Sequence, residues 1–146
     1  MKNQQRILTE AFTYSVRFSN LTSASSQTSA IQIHSDTDFE VFKLAANCFI
    51  NLNAPNTFTE IAMGVHYAGL SVLMTENVNE ARMSDVATPL CNVFGTGQQP
   101  FILPNPKILL ANTVLSIQLS NLYAAQTIAG VELMFIGRKI SVRSAA

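Results

Sequence analysis

Phe12-Thr-Tyr-Ser-Val-Arg-Phe18 places an aromatic or branched side chain at every second position, with Thr13, Ser15 and Arg17 between them. Side chains alternate between two faces only along a β-strand, so this pattern buries one face and wets the other. Downstream, Asn20 to Gln27 is polar and carries the Asn, Ser and Thr that suit a turn. Alternation resumes over Ala30-Ile-Gln-Ile-His34. An acidic turn, Ser35-Asp-Thr-Asp38, then leads into Phe39-Glu-Val-Phe-Lys-Leu44, which is rich in residues that favour a pleated, half-buried surface.

Beyond that point the pattern is weaker. Asn47 to Asn56 reads as a strand end and a loop, with four asparagines and Pro55. Phe58 to Gly64 carries a weak helical signal with Thr59 as a candidate cap. Val65 to Met74 reads as a strand, and Glu76 to Asp85, the most charged stretch, as an exposed hairpin loop or a short surface helix. Phe94-Gly-Thr-Gly97 reads as a tight turn. Pro100-Phe-Ile-Leu-Pro-Asn-Pro106 is extended, because three prolines in seven residues exclude a helix interior and a central strand. Thr113 to Asn121 and Ile128 to Ile136 supply further strands, and Gly137 to Val142 closes the fold.

Seven or eight short strands in one chain predict an all-β protein, an antiparallel β-sandwich of jelly-roll or Ig-like type with at most one short helix. An up-and-down barrel is the alternative. Residues 1–10 read as a polar, unpatterned arm, either disordered or a strap onto a partner, and 11–146 as a single domain.

The 146 residues are 48% hydrophobic and 12% charged, with nine basic and nine acidic side chains and no formal net charge. That balance is opposite to disorder. The lack of a basic block excludes a phosphate-neutralising surface, so no nucleic-acid partner is expected. Apolar runs are too short to span a bilayer, so no membrane partner is expected. Polarity comes instead from Ser, Thr, Asn and Gln, which total 45 residues. So few charges protect poorly against self-association, a property tolerated by a protein that works inside an assembly. No export signal is visible, and Cys48 and Cys91 read as buried, reduced thiols.

Candidate chemistry is sparse. In one continuous strand His34, Asp36, Asp38 and Glu40 would share a face and offer a divalent cation oxygen and imidazole ligands. The preferred reading is an Asx-type turn in which Asp36 or Asp38 accepts backbone N–H bonds, so no metal is expected. The glycines of Phe94-Gly-Thr-Gly97 lack the following lysine and helix of a phosphate loop. His34 and His66 are the available histidine bases, neither has a recognisable triad partner, and Gly-x-Ser-x-Gly is absent. No enzymatic activity and no cofactor are expected. Asn20-Leu-Thr22 matches a glycosylation acceptor but reads better as a turn.

Phe12-x-Tyr-x-Val-x-Phe, Asn20-Leu-Thr, Asp36-Thr-Asp-Phe-Glu-Val, Phe94-Gly-Thr-Gly-x-x-Pro100 and Leu103-Pro-x-Pro, with the closing Asn121-Leu, Gly137 and Lys139, together resemble small structural proteins of tailed-bacteriophage virions. The resemblance spans most of the chain, with nothing matched from Ala54 to Asp85. It implies a non-enzymatic capsid decoration, or cement, protein located in the virion and assembled in the host cytoplasm. It also implies a homo-oligomer, a trimer, that binds the major capsid protein or other virion proteins. A neck, head-fibre or tail component is the alternative, as is a sandwich module that binds a host receptor or glycan. The expected interface comprises Gln4, Gln5 and Arg6 of the arm, Glu80 and Arg82, and Phe94, Gln98, Gln99, Phe101, Pro104 and Pro106. The proline segment is equally compatible with a plain edge connection between two sheets.

Overall fold

A computed structural model describes residues 5–51, 58–60, 69–77, 86–96, 98–124 and 127–144, with backbone only at 5, 49–51, 58–60 and 142–144. Among these, nine strands follow one another: β1 (Gln5–Leu21), β2 (Ser25–Gln32), β3 (Asp38–Asn51), β4 (Phe58–Glu60), β5 (Leu70–Glu76), β6 (Thr88–Pro89), β7 (Phe101–Leu109), β8 (Val114–Asn121) and β9 (Ile128–Ser144). The one helical element described is a 3-10 turn, Leu90–Asn92.

The strands form two antiparallel sheets. One runs β1-β9-β3, with β4 and β7 sharing the far side of β3, and the other runs β2-β8-β5-β6. The ladders β1 with β9, β2 with β8, β3 with β7 and β5 with β6 join the chain from its two ends inward. That is a long hairpin rolled into a sandwich, the jelly roll. An up-and-down barrel pairs each strand with the next around one closed sheet, so the pairing of β1 with β9 and of β2 with β8 in two separate sheets removes that alternative. It removes the Ig-like order as well.

The alternating residues of β1 fill the space between the sheets as their pattern requires. Tyr14, Val16 and Phe18 are buried with Leu133 and Phe135 of β9, Phe39 and Leu44 of β3, and Leu115, Ile117 and Leu119 of β8. Two irregularities shift the alternation. Asn20 adopts φ 50°, a left-handed conformation that asparagine tolerates, and the next residue, Leu21, turns into the core. In β3, Val41 pairs with Gly137 but Lys43 pairs with Ile136, so Phe42 is a bulge and the inward series resumes at Leu44. Gly137 lies so close to this bulge that a Cβ would sit 1.9 Å from the Glu40 carbonyl oxygen.

The same bulge explains the prolines. Lys107 pairs with Val41 and Ile102 with Lys43, so Leu103 to Pro106 loop out opposite the single residue Phe42. Pro104 and Pro106 therefore occupy positions that owe the ladder no N–H. β7 is an edge strand, as the proline content requires.

Several expectations need correction. From Gln5 onward the supposed arm is strand, paired with β9 as far as Ser144. Leu21 closes β1 and Ser25 opens β2, so the turn between them is shorter than the polar stretch Asn20 to Gln27 suggests. Phe58–Glu60 is strand, held by β3, rather than the start of a helical turn. The rest of that segment, most of Glu76 to Asp85, and Gly97 lie outside the described residues. Cys48 is buried and Cys91 half-buried, and neither forms a disulfide.

Candidate functional site

The four proposed metal ligands do not converge. β2 ends at Gln32 and a turn at Ser35 and Asp36 separates it from β3, so no continuous strand aligns them. Asp38 Oδ1 accepts the Ala111 N–H at 2.8 Å, an Asx-like bond made across the fold rather than within the turn. Glu40 faces Arg138, its nearest approach being 3.3 Å. Arg138 also lies 5.3 Å from the centre of the Phe42 ring. His34 lies 3.0 Å from Lys139, its Nδ1 accepting from the ammonium in the neutral tautomer that leaves this nitrogen unprotonated. Among the described residues no three His, Cys, Asp or Glu side chains gather as a metal site.

His34 and Lys139 belong instead to a cap on one end of the sandwich. Lys139 sits 3.9 Å above the Phe12 ring. The His34 ring is edge-on to Phe12 and Tyr14, and Tyr14 packs edge-on against Phe39. The Tyr14 hydroxyl accepts the His34 backbone N–H at 3.1 Å. The neighbouring hollow, lined by His34, Asp36 and Asn112, holds no third titratable group. At another margin Glu76 of β5 and Lys107 of β7 form an ion pair of 2.9 Å that ties one sheet to the other. These polar groups are consumed by structure, and His66 lies outside the described residues.

The expected interface residues divide. Gln5 and Arg6 lie on β1, with Arg6 exposed, while Gln4, Glu80 and Arg82 lie outside the described residues. Phe94 is a correction: it is buried and stacks edge-on against Phe135 at 5.7 Å. Gly95, next to it, bonds the backbone of Leu44 and Ala46, which draws Phe94 into the core. Gln98, Gln99, Phe101, Pro104 and Pro106 are all exposed along β7 and the turn before it.

Sequence reasoning missed the apolar residues beside them. Ile102 is 67% exposed, Ile108 and Leu110 are more than half exposed, and Ile7 lies 67% exposed on β1. Ile102 and Ile108 pair with Lys43 and Glu40. They therefore share the outer face of the larger sheet with the half-buried Ile136. The signal was present in the run Lys107-Ile-Leu-Leu110, which offers apolar side chains to both faces of an edge strand.

No protein-family model matches the chain, and no curated protein matches its sequence. Among solved structures the chain is similar to the infectious bursal disease virus VP2 subviral particle, with a TM-score of 0.29 and 12% identity. It is also similar to the infectious bursal disease virus Gt strain structure, at 0.28 and 12%. In both the alignment covers 98% of this chain and 38% of the other, so the chain spans well under half of either match. Superpositions this loose fix neither a topology nor a role. The jelly-roll assignment stands on strand pairing.

Proposed function

We propose that the chain is a non-enzymatic virion structural protein, a decoration or cement protein that binds a capsid shell as a homo-oligomer, a trimer, through contacts between subunits. The observation that carries this reading is the uncovered apolar margin of the larger sheet, Ile102, Ile108 and Leu110 on the β7 edge. A weakly charged protein with such a margin has surface to lose to water when it stands alone and contact to gain in an assembly. The jelly roll is compatible with the reading, since virus shells use it, but lectins and cupins use it too, so fold adds support only by analogy. The resemblance to tailed-phage virion proteins points the same way.

Quantitative mass spectrometry of virions from a genome that encodes the chain tests the proposal. Hundreds of copies per particle, on the order expected for a symmetric shell lattice, support decoration. About a dozen would move the chain to the neck, head fibre or tail. Absence from virions would reject the virion reading and favour a receptor- or glycan-binding module. Among the described residues that last reading has little tyrosine support, because Tyr14 is buried and Tyr123 half-buried.

A further inference from the structure

The geometry points to a specific contact between two copies of this chain: antiparallel pairing of β1 with β1 across a two-fold axis at Leu8. β1 is an edge of the larger sheet, seventeen residues long, without proline. Long unprotected edges are what natural sheets avoid, because their free N–H and C=O groups template pairing with another chain. The opposite edge of this sheet is guarded by the looped-out prolines of β7. On β1 the C-terminal end is guarded by Gln27, whose amide donates to the carbonyls of Ser19 and Asn20 at 2.9 and 3.3 Å. From Gln5 to Thr13 no described residue covers the edge with a side-chain hydrogen bond.

A second observation concerns the same end. β3 reaches β9 no further than the pair Asp38–Ile140. Beyond it, among the described residues, Gln5 to Leu8 and Ser141 to Ser144 pair only with each other. A ribbon of two strands without a covering layer is marginal in water, and three or more strands are needed to hold it. A second β1 converts it into a four-stranded ribbon, β9-β1-β1-β9.

Charge selects the register. Directly opposed residues in an antiparallel pair lie on the same face, so partners on the two copies must share parity. Arg6, Glu10 and Arg17 are the charged residues of β1, and Arg17 is of opposite parity to the others. Self-pairing that opposes unlike charges therefore centres on Leu8, setting Arg6 against Glu10 twice, Ile7 against Thr9 twice, and Leu8 against itself. Centring on residue 6 or residue 10 would oppose like charges. The contact rests on the proposed assembly role only in that it joins copies; a two-fold contact links subunits belonging to different trimers.

Leu8→Cys in the full chain, on a Cys91→Ser background, is the test. Cα atoms of directly opposed residues lie about 4.5–5.5 Å apart, within disulfide range. Mild oxidation is expected to give a covalent dimer from Leu8→Cys but not from Thr9→Cys, whose two copies would stand diagonally apart. Arg6→Glu is expected to weaken association about tenfold in sedimentation equilibrium. Circular dichroism establishes that each variant is folded; should Leu8→Cys fail to fold, the double variant Ile7→Cys/Thr9→Cys reads the same register. No more dimer from folded Leu8→Cys than from the parent, or equal dimer from Thr9→Cys, overturns the proposal. High copy number in virions without the cross-link would reject this contact and leave the virion role standing, whereas the cross-link with absence from virions would do the reverse.

Discussion

The two sheets of this sandwich are built to different lengths. β1, β9 and β3 run for 17, 17 and 14 residues, while β2, β8 and β5 run for 8, 8 and 7. At about 3.3 Å per residue the long strands reach roughly twice as far as the short ones. Among the described residues the inner layer is seen over the shared length. There, Phe39, Leu44, Leu133 and Phe135 meet Leu115, Ile117 and Leu119 and are all buried. In the overhang the inward-facing series changes, with Arg6 and Glu10 exposed and Leu8 only half-buried, although the strand is continuous. Among the described residues, β1 and β9 are carried past the sandwich by their mutual ladder, while burial is concentrated within it.

The largest expected effect contrasts two neighbours on β9. Phe135→Ala removes a buried ring stacked on Phe94 and is expected to lower stability by about 3–5 kcal/mol. Ile136→Ala, one residue further and on the outer face, is expected to cost about 1 kcal/mol or less. Chemical denaturation of the two variants measures the difference. Equal losses would mean that the outer face of the larger sheet is also packed, and would remove the uncovered surface on which the proposed function rests.

Next in size is Gly137→Ala. Its methyl would meet the Glu40 carbonyl at the β3 bulge, which is backbone and cannot swing aside. A loss of about 1–3 kcal/mol is expected, with local change at Phe42 and Arg138 in amide chemical shifts. A neutral substitution would show that the bulge can slide.

What could be read from residues alone follows from the same contrast. The sandwich was legible in Phe12 to Phe18 because burial on one face imposes a period of two. The overhang was not, since Arg6 and Glu10 break the apolar period there and the strand is seen in its pairing with β9. Phe94 was misread for a related reason: its flanking glycines suggest a surface turn, yet Gly95 serves as a bridge to Leu44 and Ala46. Equal spacing of His34, Asp36, Asp38 and Glu40 implies one face only if the backbone is unbroken, and it turns at Asp36, as the Asx-type turn reading expects. The prolines were placed correctly on an edge, while the four-against-one offset that accommodates them depends on a bulge in β3 that no local signal at Phe42 announces.

A smaller effect tests how firmly the sheets are tied at their shared margin. Lys107→Met leaves the Glu76 carboxylate, whose side chain is 13% exposed, without its cation. A cost of about 1–2 kcal/mol is expected, because an unpaired and largely buried acceptor loses more than the bond itself was worth. The exposed pair Arg17–Glu132, with Arg17 largely solvated, is expected to contribute at most about 1 kcal/mol, and double-mutant cycles by chemical denaturation measure both pairs. A reversal of that order would place the stabilising charge on the outer face rather than between the layers.

The smallest effect on stability is expected in the overhang, and it carries the most information about association. Leu8→Ala should change the unfolding free energy of the isolated chain by about 0.5 kcal/mol or less, since little apolar surface is buried around it. Hydrogen exchange separates this region more sharply than denaturation does. Amides of Gln5 to Leu8 and Ser141 to Ser144 should exchange through local fraying at dilute concentration, while those of Tyr14 to Phe18 and Val131 to Phe135 should open only with global unfolding. Raising the protein concentration should slow exchange in the first group and leave the second unchanged, because pairing of β1 with a second copy would protect only the overhang. Protection of the overhang that is already complete at high dilution would mean that two strands suffice there, and the contrast between the covered and uncovered halves of β1 would collapse.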